Sequence, residues 1–299
     1  MDSGSRLVRG WRWLILVPVL AACGRLDELE YTPQTTPQEW CEQRPCVEVG
    51  STTLNEPLGT FLVFALAALW VGVGIYFLIT RRGQRSRGWF GIALVLGGLG
   101  AAQAGISYQA FSYVLKCEGR DYCILTNGFE VGYSVTQALS VSAMVVAVAF
   151  ACAAGGLRRG LIIYAAVNAA VYVVVSILGV LQPSAFLLSF EVLMLFAVPG
   201  IILVMIVSGR HYRQHHDAMS RSILWAAVLL ILVQVAYFAY YAAGITEALW
   251  NDGAGFYFSQ NDVLHVGMIL WLFFVAVTLG KSLADQTGPA EADRQSAAA

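Results

Sequence analysis

The stretch SQNDVLHVGMILWLFFVAVTLG, residues 259–280, decides the fold class and raises the functional question. Beyond His265 it is almost unbroken apolar sequence. As a helix it covers roughly 33 Å at 1.5 Å per residue, enough to cross about 30 Å of hydrocarbon. Yet Asn261, Asp262 and His265 stand in its first turns. Ionisable side chains are costly in a bilayer and are retained where they find a partner or a task.

Six more segments of this kind precede it, at about 57–80, 89–115, 128–154, 160–181, 186–208 and 222–244. Charged residues are only 12% of the 299-residue chain, against about 25% in soluble domains. They gather in short clusters between the apolar runs. The expected fold is an all-α integral membrane protein, a bundle of seven transmembrane helices. A net charge of -1 and the lack of any Gly-rich phosphate loop or long basic tract argue against a nucleic-acid partner. Membrane lipids are the expected surroundings.

The connecting charges orient the bundle. Arg81, Arg82, Arg85, Arg87, Arg158, Arg159, Arg210, Arg213, Arg221, Lys281 and Arg294 fall on one side, eleven in all. The other side carries four beyond the N-terminal leader: Arg25, Arg44, Lys116 and Arg120. The positive-inside rule puts the eleven in the cytoplasm, with the N-terminus outside.

The first residues, MDSGSRLVRGWRWLILVPVLAAC, pair a basic start with an apolar run too short to span. The run closes in Leu20-Ala21-Ala22-Cys23, which resembles a bacterial lipobox. That resemblance implies cleavage before Cys23, lipidation of Cys23, and a place in the bacterial inner membrane. The chain then divides into a signal peptide at 1–22, a lipid-anchored periplasmic segment at 23–56, the membrane domain at 57–280 and a disordered cytoplasmic tail at 281–299. Cys41 and Cys46, and Cys117 and Cys123, are two close pairs on the exported side. An oxidising compartment favours Cys41–Cys46 and Cys117–Cys123 disulfides, with cross-pairing as the alternative.

The intramembrane polar residues share one level. Ser107, Tyr108 and Gln109 lie late in the second span, and Glu130, Tyr133 and Gln137 early in the third. Glu191 lies in the second turn of the fifth, and Asn261, Asp262 and His265 at the start of the seventh. Helices facing one another there would enclose an outward-opening polar cavity. On the seventh span, Asp262 and His265 are i, i+3, and Asn261 and His265 are i, i+4, so all three can share a face. An acid and a histidine so spaced on a buried face can share a metal. Equally, Asp262 can cap its helix and His265 be a satisfied core histidine.

A Ser late in span two, an acid early in span three and a His early in span seven resemble the superfamily of alkaline ceramidases and progestin/adipoQ receptors. That resemblance implies a zinc-centred seven-helix bundle, with Ser107, Glu130 and His265 as catalytic counterparts and with His265, Asp262 and Glu130 as the residues left to hold the zinc. Phe111 and Asn261 stand where that family has histidines. The expectation is therefore a non-catalytic ligand-binding or sensory module for a small-molecule or lipid ligand. Metal-dependent hydrolysis of a lipid amide or ester is the alternative. A carrier using Glu130 and Glu191 is disfavoured by the apolar cytoplasmic halves of the spans.

Overall fold

The structure, a computed structural model, describes residues 24–251 and 255–286. Its seven long helices are α2 (Pro57–Ile79), α3 (Arg85–Ala104), α5 (Gly128–Cys152), α6 (Gly155–Leu181), α7 (Phe190–His215), α8 (Ala218–Ala242) and α10 (Gln260–Ser282). All seven are long and apolar enough to cross a membrane, and the chain is a polytopic, all-α membrane protein. Short helices α1 (Pro37–Glu42), α4 (Ser112–Lys116) and α9 (Ile245–Asn251) lie at one end, with a small hairpin, β1 (Cys46–Val49) and β2 (Thr52–Asn55). This hairpin is the only sheet among the described residues.

The long helices close into a ring in the order α2, α3, α5, α7, α8, α10 and back to α2, while α6 packs on the outside against α5. The α2–α3 seam brings two backbones close together. A Cβ on Gly91 would stand 2.8 Å from the Gly74 carbonyl oxygen, and one on Gly98 would stand 2.9 Å from the Val71 amide nitrogen. Backbones this close are a familiar packing mode in lipid, where small residues let dispersion replace the hydrophobic drive. The four-residue series Gly97, Ala101, Gly105 belongs to the same seam: Gly97 meets the Trp70 ring and Gly105 meets Val63. Large apolar side chains such as Ile163, Leu195, Val235 and Phe273 point outward, as lipid-facing positions require.

At the arginine-rich end, Asp285 accepts from the Arg85 and Ser86 amides at 2.9 and 2.7 Å and so caps α3. Arg87 is buried there, donating to the Gly280 carbonyl at 3.0 Å and to Thr80 Oγ1 at 2.6 Å. The last helix thus runs to Ser282, and residues 283–286 fold back on the bundle, the Gln286 amide donating to the Phe150 carbonyl at 2.9 Å. The disordered tail expected from residue 281 therefore does not begin there. The remaining tail, 287–299, and the leader with Cys23 lie outside the described residues.

The opposite end carries a cap. Both expected disulfides are present, Cys41–Cys46 and Cys117–Cys123. They share a small core with Trp40, Tyr31 and Tyr113. Backbone bonds from Cys123 N to Thr35 O and from Leu125 N to Leu29 O knit the N-terminal segment to the loop between the second and third spans.

Candidate functional site

The site is organised by a turn that breaks the second span. After Ala104 the helix widens into a π-helical segment, Gly105–Ala110, then stops at Phe111. Single π turns inside α-helices recur at functional positions, because the extra residue re-aims neighbouring side chains. Here Ser107, Tyr108 and Gln109 each enter a different environment.

Ser107 turns toward the third span. Its hydroxyl donates to Glu130 Oε1 at 2.7 Å and accepts from Asn127 Nδ2 at 2.7 Å. Asn127 is also the N-cap of α5, its Oδ1 accepting from the Phe129 and Glu130 amides. Lys116 Nζ stands 2.5 Å from Glu130 Oε1, and their side chains are 1% and 5% exposed. The ammonium also donates to the Leu125 carbonyl and the Tyr31 hydroxyl, both at 3.1 Å. The rings of Tyr108, Tyr31 and Trp40 surround it at 5.1, 5.5 and 5.8 Å. Those distances are in the range of cation–π attraction.

Beside Tyr108 a cavity of about 160 Å³ opens between cap and bundle, lined by Tyr31, Thr35, Trp40, Gln43, Arg44, Tyr108 and Lys116. Arg44 stacks on the Trp40 ring with its guanidinium carbon 4.0 Å from the centroid. Trp40 Nε1 and Arg44 Nε have no hydrogen-bond partner among the described residues. Both are donors.

Gln109 turns the other way, toward Glu56 and Asp262. Glu56 is the N-cap of α2 and adopts φ 42°, a left-handed conformation that costs a non-glycine residue about 1–2 kcal/mol. It is tied to Arg44 at 3.5 Å and accepts from the Tyr257 hydroxyl at 3.3 Å. Burial pushes the Glu56 carboxyl up to about 7; Arg44 opposes the shift and the nearby Asp262 adds to it. The Tyr257 hydroxyl is raised in turn, first by its own burial and then by Glu56.

The structure sorts the candidates named from sequence. Ser107 and Glu130 meet directly. Asp262 caps α10, accepting from the Ser259 amide and hydroxyl at 2.7 and 3.1 Å. His265 is buried one turn below, its Nδ1 without a partner among the described residues. Asn261 is half-buried. Glu191 sits in the first turn of α7 on an exposed face and does not join the polar cluster. Its depth was readable from sequence, but the direction it faces around the helix was not. Among the described residues no three His, Cys, Asp or Glu side chains converge as a metal set. Glu130 is held by Lys116 and Ser107, and Asp262 by its own helix start, so a zinc on His265, Asp262 and Glu130 does not fit this arrangement.

Comparison with family models, curated proteins and solved structures finds no match to this chain. Its own geometry therefore carries the functional reading. Lys116, Tyr31, Trp40, Arg44 and Glu56 do not stand out as site residues from sequence. The available signal was the pair of aromatic residues, Tyr31 and Trp40, inside an otherwise polar N-terminal segment.

Proposed function

We propose that this chain is a non-catalytic ligand-binding module of the bacterial inner membrane. Its cap faces the periplasm and holds a small ligand bearing a carboxylate or phosphate oxygen. The observation that carries this reading is the cavity over Tyr108. Its walls are aromatic, and its unpartnered groups, Trp40 Nε1 and Arg44 Nε, are donors only. Buried donors left unpaired cost about 1–3 kcal/mol each, which a ligand acceptor would recover. Lys116 is already neutralised by Glu130, so it shapes the floor and adds little net charge. Aromatic walls with a few fixed polar groups are the usual make-up of a small-molecule site.

The orientation rests on the asymmetry of basic residues and on the two disulfides at the cap end. Lipidation at Cys23 would hold the start of the cap segment against the bilayer.

The test is Trp fluorescence and thermal unfolding of the detergent-purified chain, titrated with inorganic phosphate and with short mono- and dicarboxylates. A saturable response to at least one, lost in Trp40→Phe and Arg44→Gln and kept in His265→Ala, is the expected result. No saturable response to any of these probes, or a response unchanged in both cavity variants, overturns the reading.

A further inference from the structure

On the far side of the Arg44–Glu56 pair lies a second polar cluster whose character is opposite. A Cβ on Gly59 would stand 2.9 Å from Asp262 Oδ1, 3.3 Å from Gln109 Cγ and 3.4 Å from Glu56 Oε2. Three side chains from three separate stretches of chain therefore pack around one backbone position, where only glycine leaves them room to meet. All three are deeply buried: Glu56 is 3%, Gln109 2% and Asp262 1% exposed.

Glu56 Oε2, Gln109 Oε1 and Asp262 Oδ1 each lack a hydrogen-bond partner among the described residues. Every one of these atoms is an acceptor. The other carboxylate oxygens are engaged, Glu56 Oε1 by Arg44 and Tyr257, Asp262 Oδ2 by Ser259. Buried polar atoms in folded proteins are almost always satisfied, so something outside the chain answers these three.

Charge narrows what that is. With Glu56 ionised, above about pH 7, two carboxylates share one guanidinium, Arg44, which leaves one negative charge uncompensated in a dry region. Water would donate to the acceptors and leave the charge. A divalent ion would overshoot by one charge and seeks six or more oxygen ligands. One monovalent cation supplies the missing charge and takes carboxylate and amide oxygens as its ligands.

We propose that Glu56, Gln109 and Asp262 bind one monovalent cation of the sodium class beside Gly59. The bound ion links the start of the first span, the π turn of the second and the start of the last. It would therefore brace the cap-end mouth of the bundle. The site is separate from the ligand cavity over Tyr108, and its test does not depend on that cavity's occupant.

The experiment measures the unfolding temperature of the full chain in detergent, in sodium chloride against choline chloride at equal ionic strength and at one pH above about 7, where Glu56 is ionised. Wild type is expected to gain stability saturably with sodium. Glu56→Gln removes the excess charge, so it should lose the sodium response and match or exceed wild type in choline. Gln109→Leu keeps the charge and removes a ligand, so its half-saturating sodium concentration should rise at least tenfold. Equal unfolding of wild type in both salts overturns the proposal. So does a sodium response in Glu56→Gln equal to that of wild type. Should Glu56→Gln not fold, an unaltered half-saturating concentration in Gln109→Leu overturns it as well.

Discussion

Lys116 Nζ lies 2.5 Å from Glu130 Oε1 with both side chains closed off from solvent, and this pair joins the disulfide loop to the third span. Taking two charges out of water is expensive, and the arrangement holds because Ser107, Leu125 O and Tyr31 satisfy the remaining valences. Removing one partner strands the other. Lys116→Met should therefore destabilise the chain by about 3–5 kcal/mol, whereas Lys116→Met with Glu130→Leu should recover most of that loss. A double-mutant cycle by chemical denaturation in detergent micelles measures the coupling. Additive single effects would show that the pair is not coupled as its geometry implies.

Glu56 gives the cap end a pH dependence of definite sign. Its folded carboxyl is raised from 4.5 to about 7, chiefly by burial. The folded state then holds that proton more tightly than the unfolded state. The resulting stability is fully present below about pH 4.5 and is lost as pH rises through about 7, a change on the order of 3 kcal/mol. In sodium-free buffer, wild type should lose stability across this window while Glu56→Gln stays level there. A wild-type profile parallel to that of Glu56→Gln would contradict the assignment.

The same residues show what could be read in advance. The seven spans were legible because an apolar run of this length with so few charges suits a lipid-crossing helix and little else, though their ends were not: the fifth, expected at 186–208, runs Phe190–His215, and the second, expected at 89–115, runs Arg85–Ala110. The disulfides were legible because each pair is close in sequence on one side of the bundle. Ser107 and Glu130 could be placed at one depth because depth follows from counting along each helix. What counting does not supply is rotation about the helix axis, which sends Glu191 to an exposed face. Nor does it reveal a π turn. The single extra residue between Gly105 and Ala110 ends the helix early and sends Ser112–Lys116 back into the cap. Lys116, which reads as a solvated loop charge in the sequence, becomes the buried partner of Glu130 for that reason.

The α2–α3 seam depends on missing side chains. Gly98 faces the Val71 amide at 2.9 Å and the Ala67 carbonyl at 3.0 Å from its Cβ position, so the obstacle is backbone and cannot step aside. Gly98→Leu should separate the two helices and cost about 1–3 kcal/mol, the range for overpacking a close-packed interior. Leu99 is exposed on the next position of the same helix, and Leu99→Ala should change stability by about 0.5 kcal/mol or less. Leucine favours a helix over glycine and alanine favours it at least as well as leucine, so a loss of thermal stability confined to Gly98→Leu reports the seam and not helix propensity. Similar losses in both would remove the argument for close contact.

The cap should detach without unfolding the bundle. Its core is small, built around Trp40 and the two disulfides, and the long helices have their own apolar core toward the other end. Each bridge closes a short loop, five and six residues apart in sequence. Restricting a loop of that size in the unfolded chain contributes about 2 kcal/mol per bridge in the chain-entropy picture. Replacing Cys117 and Cys123 with Ser removes this restraint beside the Cys123 amide, which donates to Thr35 O and helps hold the N-terminal segment down. The expected outcome is unchanged helical circular dichroism, a red-shifted Trp emission as Trp40 meets water, and faster proteolysis within residues 26–55. The saturable anion response should disappear with them, because Tyr31, Trp40 and Arg44 reach the cavity only while the cap is docked. An anion response that survives loss of the bridge, with Trp40 emission unshifted, would mean that the cap is held by the bundle alone.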